Sequence, residues 1–111
     1  MKVAIPIKEK NISEFFGQCS HYEVFTIKNG KVAKKHTEIP NVSELSEIPL
    51  WVKEQNIDTI ITYSMKKDLL NAFIQNKINV FVGVPQKNGD ELITDFLNGS
   101  LHSNSKILID Y

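Results

Sequence analysis

The sequence predicts an α/β domain with a mixed five-stranded sheet, in which the first three strands are antiparallel, and about three helices. Two observations lead to this prediction. Asn29-Gly30, a strong hairpin signal, lies between two runs of β-forming residues in the first third of the chain. From about residue 43 onward, helical patterns alternate with short β-branched runs, which is typical of parallel strands joined by helices.

The first half of the chain predicts three strands. Lys2 to Ile7 alternates apolar and other residues, and Pro6 marks the end of this strand or an edge. His21 to Ile27 is rich in β-forming residues, and the turn at Asn29-Gly30 sends the chain back. Lys31 to Ile39 is then the third strand, and its lysines suit a sheet edge that must resist aggregation.

The second half predicts helices and strands in alternation. Ser43 or Ser46 can cap a first helix that holds Pro49 in its first turn and ends near Asn56. The β-branched run from Ile57 to Tyr63 predicts an interior parallel strand.

A second helix, strand and third helix follow. Ser64 is the predicted start of the second helix, which carries an apolar stripe at helical spacing. The run from Ile78 to Val84 repeats the interior-strand pattern. Asp90 can cap the third helix, and Gly99 suits the left-handed position after its end.

The order of these elements is that of a ribonuclease-H-like architecture. We expect one domain over residues 1–101 and a tail over residues 102–111, in which Lys106 to Tyr111 adds an edge strand or pairs with a second copy of the chain. A nuclease of this fold needs clustered carboxylates, one of them on the first strand, and Lys2 to Ile7 carries none. Nuclease activity is therefore not predicted.

The composition excludes several classes of function. The chain has 111 residues, with 13 basic and 13 acidic residues interspersed, so it lacks the basic surface of a nucleic-acid-binding protein. It has no apolar run of about 18 residues, so we expect no membrane span. A single cysteine forms no intramolecular disulfide, and no signal-peptide pattern precedes the first strand, which predicts a cytoplasmic protein.

The best candidate for chemistry is the loop between the first two strands. It holds the only cysteine, Cys19, two residues before His21. If the second strand begins at Cys19, the two side chains share a face and one metal ion could bind both. Glu14 could be a third ligand or could cap the loop, as Ser13 could. The alternative is that Cys19 is a small, half-buried apolar residue and His21 an exposed one.

Two further interpretations concern Ser64 and the pair of Cys19 and His21. Ser64 stands where ligands of α/β sheets bind, at the end of a strand and the start of a helix, and it could hold an anion or only cap the helix. Cys19 and His21 could also imitate a nucleophile and its base, but neighbours on one strand face leave little room for a substrate. We therefore predict no enzymatic activity.

Three stretches resemble one family: Val3 to Ile7, Ser13 to Tyr22, and Ile57 to Leu101. They are similar to the small single-domain proteins of the dinitrogenase iron-molybdenum cofactor biosynthesis family. The resemblance implies a ribonuclease-H-like domain that carries iron-molybdenum cofactor or its iron-sulfur precursors without turning over a substrate. Together with the chemistry of the loop, it leads us to predict a metal site at Cys19, His21 and Glu14 and cofactor contacts from the following residues: Ser13, Phe16, Gly17 and Ser64.

The sequence also departs from the family pattern. The family loop typically reads Ser-Glu-His-Phe-Gly, and Phe15 stands where the histidine would be. Many members have a glycine- and histidine-rich loop where this chain has Pro40 to Ser46, and a glycine-containing turn where it has Tyr63 to Lys66. Two hypotheses follow: a carrier of a metal cluster or cofactor that uses Cys19 and His21, as a monomer or homodimer, or a metal-free interaction or regulatory module that binds another protein through its sheet edge and the tail from Ile107 to Ile109.

Overall fold

The computed structural model describes residues 1–104 and confirms the mixed α/β architecture. Its strands are β1 (Lys2–Lys8), β2 (Asn11–Ile12), β3 (His21–Lys28), β4 (Lys31–Glu38), β5 (Thr59–Ile61) and β6 (Asn79–Phe81). Its helices are α1 (Ile48–Glu54), preceded by one 3₁₀ turn (Leu45–Glu47), α2 (Lys67–Gln75) and α3 (Gly89–Leu97).

The sheet has the predicted arrangement, with β2 as a short addition. The strand order is β4-β3-β1-β5-β6, and β2 pairs with the end of β1. β1 pairs with β3 and β3 with β4 in antiparallel fashion, whereas β1 with β5 and β5 with β6 are parallel. This is the ribonuclease-H-like order that the sequence predicts, with the lysine-rich β4 at one edge.

The hairpin between β3 and β4 forms as predicted. Asn29 and Gly30 have φ angles of 53° and 73°. Positive φ at both positions is the requirement of a type I′ turn, which suits the twist of the two strands.

Two separate apolar cores lie on the two faces of the sheet. The first core packs under α1 and α2 and includes Ala4, Tyr22, Val24, Val52 and Phe73. The second core packs under α3 and includes Val3, Ile5, Phe25, Ile61 and Leu92. Neighbouring residues of β1 and β3 therefore contribute to opposite cores, as strand geometry requires.

Pro6 and the parallel strands differ from the prediction. Pro6 neither ends β1 nor lies at a sheet edge, because β1 continues to Lys8 between two neighbours. The sheet tolerates Pro6 because β5 pairs with β1 only at Val3 and Ala4 and does not pair with Pro6. The sequence predicts an interior strand at residues 78–84. The observed strand, β6, is an edge strand within the described residues.

The predicted helix caps are wrong at three places. Neither Ser43 nor Ser46 caps α1, which continues from the 3₁₀ turn, although Pro49 lies in its first turn as predicted. Ser64 lies before α2, which begins at Lys67. Asp90 lies inside α3, where the Asn88 side chain is the cap and accepts a hydrogen bond from the Glu91 amide at 2.8 Å.

The start of α3 lies close to the sheet. A Cβ atom at Gly89 would come within 1.9 Å of a Glu23 carboxylate oxygen. Gly89 therefore permits the close approach of α3 to β3. At the other end of the helix, Gly99 has the predicted positive φ, 73°.

Within residues 1–104, none of the helices has the length and apolar character needed to cross a bilayer. The edge strand predicted at residues 106–111 lies outside the described residues. The division into a domain and a tail after residue 101 stays a prediction.

Candidate functional site

The loop between β2 and β3 forms one wall of a cleft of about 250 Å³. Cys19, Ser20 and His21 line this wall. The facing wall is the segment that follows β4, from Ile39 to Leu45, together with Ile48. We call this space the thiol cleft.

Both ends of the loop are fixed to β1. The Ser13 amide donates to the Pro6 carbonyl and the Ser20 amide to the Ile7 carbonyl, each at 2.8 Å. Within the loop, the Ser13 hydroxyl donates to the Phe15 carbonyl at 2.9 Å, so Ser13 closes the loop, and its contact with a cofactor stays a prediction. These bonds fix the loop relative to the central strand of the sheet.

Phe16 anchors the loop in the first core. Its side chain is 8% exposed, and its ring makes edge contacts with Phe73 at 5.7 Å and with Tyr22 at 6.0 Å between ring centroids. Aromatic pairs of this geometry contribute about 0.5 to 1.5 kcal/mol beyond the area that they bury. Phe16, a predicted cofactor contact, is thus a core residue that holds the loop.

Cys19 is half-buried and lies against the first core. Burial raises the pKa of its thiol, and a hydrogen bond from the Tyr22 hydroxyl opposes this rise. Tyr22 is buried, and burial together with the neighbouring Cys19 raises its pKa well above the usual range. The hydroxyl therefore stays protonated and available as a donor to the thiol.

The condition for a shared face of Cys19 and His21, a strand that begins at Cys19, is not met. Cys19 precedes β3, which begins at His21, and its partner Tyr22 points into the first core. His21 pairs in register with Ile7, a residue of the second core, and strand side chains alternate between faces. The two side chains line one cleft but leave the backbone on opposite sides of the sheet.

His21 interacts with its neighbour in the sequence. Its Nδ1 lies 2.9 Å from the Ser20 hydroxyl, which also donates to the Ile7 carbonyl at 3.1 Å. The imidazole is therefore oriented by Ser20, whereas the thiol has Tyr22 as its electrostatic partner. This is not the geometry of a nucleophilic cysteine, which has a depressed pKa and a base beside it.

Glu14 does not join Cys19 and His21. Its backbone carbonyl accepts the hydroxyl of Ser64, and its carboxylate belongs to an exposed side chain. Among residues 1–104, no three side chains of His, Cys, Asp or Glu are grouped so that they could hold a metal ion together. The described part of the chain thus offers two of the three predicted ligands around the thiol cleft.

Ser64 lies in a second cavity of about 240 Å³, which we call the aromatic cavity. Ser64 is 3% exposed, so it is a buried residue that joins the loop before α2 to the loop after β2. Phe15 and Phe16 line the same cavity. Phe15, at the position of the family's histidine, therefore faces a different cavity from the one that Cys19 lines.

Other polar residues of the sequence lie outside the thiol cleft. The expectation that His36 is solvated is only partly right, because it is half-buried and its Nε2 lies 3.0 Å from a Glu38 carboxylate oxygen. His102 is exposed, as expected. Neither histidine lines the thiol cleft or the aromatic cavity.

Sequence reasoning did not identify two residues of the site. Tyr22 was assigned only to a strand, although its place three residues after Cys19 could have suggested a contact. Leu45 was not singled out within the stretch before the first helix, and it lines both the thiol cleft and the aromatic cavity. The approach of Leu45 to the loop depends on tertiary packing across 28 residues, and no local pattern in the sequence signals it.

Comparison with known proteins gives one family. The model of the dinitrogenase iron-molybdenum cofactor family matches residues 1–99. No curated protein sequence matches at a significant level.

Solved structures share the whole fold. The crystal structure of the protein PH0822 is 25% identical and has a TM-score of 0.83, with 94% of this chain and 95% of that chain covered. A Methanocaldococcus jannaschii protein assigned as a dinitrogenase is 26% identical with a TM-score of 0.74, and 95% of each chain is covered. A Thermotoga protein assigned as NifB, 15% identical with a TM-score of 0.70 over 92% and 91% of the chains, shares the fold alone.

Proposed function

Because this chain belongs to the dinitrogenase iron-molybdenum cofactor family, we propose that it is a non-catalytic carrier that binds a metal cluster or its precursor as cargo in the thiol cleft. The observation that carries this proposal is the position of Cys19. The only thiol of the chain lines a cleft, and Tyr22, a buried residue that lowers the pKa of this thiol, lines the same cleft. Thiolate is a preferred ligand of iron, copper and iron-sulfur clusters.

The donor set fits cargo better than a resident cluster. A cluster held only by protein needs about four thiolates, and one chain supplies one. A preassembled cluster brings sulfide and other ligands of its own, so Cys19 needs fewer protein ligands beside it to hold the cluster, and His21 is the second candidate ligand. Few protein ligands also suit a carrier, because the cargo must be released.

The environment of Cys19 supports binding without catalysis. Since burial raises the pKa of the thiol, most of it is protonated at neutral pH, and cluster binding must displace that proton. The Tyr22 hydroxyl is placed to stabilise the thiolate that results. His21 is bonded to Ser20 and is not the base of this thiol.

Anaerobic reconstitution with iron and sulfide tests the proposal. We expect the wild-type protein to take up iron and acid-labile sulfide in a fixed ratio and to develop visible absorption, and Cys19→Ser to lose both. His21→Gln measures the contribution of the imidazole. His102→Gln is the matched control, because His102 is exposed and lies outside the cleft.

The outcome is read from metal content per chain. A wild-type protein without iron and sulfide, or a Cys19→Ser variant with wild-type content, would refute the carrier. One cluster for every two chains would indicate that two copies of Cys19 share the cargo in a homodimer, and one cluster per chain would indicate that a single chain suffices.

A second candidate is a metal-free interaction module on the same scaffold. It is favoured by the edge strand β4, which exposes Val32, and by the adjacent Ile39, whose side chain is 73% exposed. For this candidate, Cys19→Ser retains binding of the protein partner, and the wild-type protein takes up no metal.

A further inference from the structure

Leu45 separates the thiol cleft from the aromatic cavity. It lies at the start of the 3₁₀ turn and lines both spaces, which have volumes of about 250 and 240 Å³. Gly17 lines only the first of them, and its neighbours Phe16 and Gln18 line the second. The partition therefore consists of the Leu45 side chain and the backbone of the loop around Gly17.

Leu45 can complete this partition because Gly17 has no side chain. A Cβ atom at Gly17 would come within 2.9 and 3.1 Å of the two Leu45 methyl carbons. The φ angle of Gly17 is 95°, a conformation that also favours glycine. The Leu45 isobutyl group thus occupies the space that a side chain at position 17 would need.

The two cavities differ in chemistry. The thiol cleft is lined by Cys19, His21 and two serines. The aromatic cavity has aromatic and apolar side chains from Phe15, Phe16, Met65 and Leu69 together with polar ones from Gln18, Ser64 and Lys66. A ligand that entered both would need a group that binds the thiol and a bulky second part.

We propose that Leu45 is a specificity-determining residue, which confines the ligand of Cys19 to the thiol cleft and excludes ligands that carry a bulky group. The ligand class that remains is a compact inorganic one. The identity of the ligand as an inorganic cargo rests on the proposed function. The size limit that Leu45 sets does not depend on a metal.

Alkylation of Cys19 tests the size limit directly. The chain has no other cysteine, so every label reports this site. The rates of reaction with iodoacetamide, which is small, and with fluorescein maleimide, which is bulky and aromatic, are measured for each variant. The quantity compared is the ratio of the bulky rate to the small rate.

We expect Leu45→Ala to raise this ratio by about tenfold or more, since pockets discriminate roughly 10- to 200-fold for a single methylene group. Leu45→Met conserves the volume and keeps the wild-type ratio. Leu50→Ala is the matched control, because Leu50 is 59% exposed and lines neither cavity. Leu45 is itself 38% exposed, so its truncation leaves the fold intact.

Two results overturn the inference. In the first, Leu45→Ala raises both rates by the same factor, which indicates general loosening of the loop. In the second, the ratio of the bulky rate to the small rate for Leu45→Ala equals the ratio for Leu50→Ala or for Leu45→Met. Failure of iron uptake would refute the carrier and leave the alkylation ratios unchanged, so the two proposals fail independently.

Discussion

At the scale of single residues, Cys19 and Tyr22 set the acidity of the cleft. Burial raises the pKa of the thiol, and the hydroxyl of Tyr22 stabilises its charged form. The neutral thiol is therefore the form that this environment favours at neutral pH. Both ligand binding and covalent reaction require the thiolate, so both increase as the pH rises.

The first prediction concerns this hydrogen bond. Tyr22→Phe removes the donor to the thiolate, so we expect the pKa of Cys19 to rise further and the midpoint of its alkylation rate to move to higher pH. The rate of iodoacetamide reaction is measured as a function of pH for both proteins.

Tyr63→Phe is the matched control for Tyr22→Phe. Tyr63 packs against the second core and does not line the thiol cleft, so its hydroxyl has no access to Cys19. A midpoint for Tyr22→Phe at or below that of the wild-type protein would show that the Tyr22 hydroxyl does not stabilise the thiolate.

The residue scale is also where sequence reasoning was least complete. A local motif identified Cys19 and His21 as neighbours of one cleft, because they are two residues apart in a single loop. A shared face would have required β3 to begin at Cys19, and β3 begins at His21, the start that the sequence predicts. The facing wall, from Ile39 to Leu45, lies there because it follows the end of β4. This contact is between segments distant in the sequence, so a local motif does not predict it.

At the scale of elements, α3 is held by one side-chain cap. The Asn88 side chain accepts the amide of Glu91, and Gly89 lets the first turn lie on the sheet. The acidic residues Asp90 and Glu91 in that turn add a favourable interaction with the helix dipole.

The second prediction follows from this cap. Asn88→Ala leaves the Glu91 amide without its partner, and we expect a loss of about 1 kcal/mol in the free energy of unfolding. Urea titration should give a lower midpoint at an unchanged slope. Asn88→Asp keeps an acceptor oxygen and retains most of the stability. Equal losses in both variants would argue against a capping role.

The elements also show what the sequence can predict. The β3–β4 hairpin was predicted well, because Asn29-Gly30 fixes a local turn whose backbone needs are specific. The starts of the helices were predicted less well, because several polar residues precede each helix and tertiary packing determines which of them caps it. Ser64 is an example: its hydroxyl binds the Glu14 carbonyl in a distant loop instead of the amides of α2.

At the scale of the whole molecule, the sheet separates two cores, and only one of them supports the cleft. Phe73 of α2 contacts Phe16, the anchor of the loop, in the first core. Leu92 of α3 is fully buried in the second core. The fold class was predictable because strand and helix patterns are local, whereas this division of labour depends on which face each helix covers.

The third prediction compares the two cores. Phe73→Ala should cost about 3 to 5 kcal/mol of stability and Leu92→Ala about 2 to 5 kcal/mol. We expect only Phe73→Ala to speed iodoacetamide labelling of Cys19, because it releases Phe16 and Tyr22. Labelling is measured at a temperature at which circular dichroism finds both variants folded. Equal acceleration in the two variants would indicate that labelling follows global unfolding.

The contact between Tyr22 and Trp51 has a practical consequence. Trp51 is the only tryptophan of the chain, and its ring lies 5.4 Å from that of Tyr22, the hydrogen-bond partner of Cys19. The sole indole fluorophore is therefore one side chain away from the residue that orients the thiol. We expect the emission of the unmodified protein to change when the cleft is occupied, so that binding can be followed optically without an added dye or a change to the sequence.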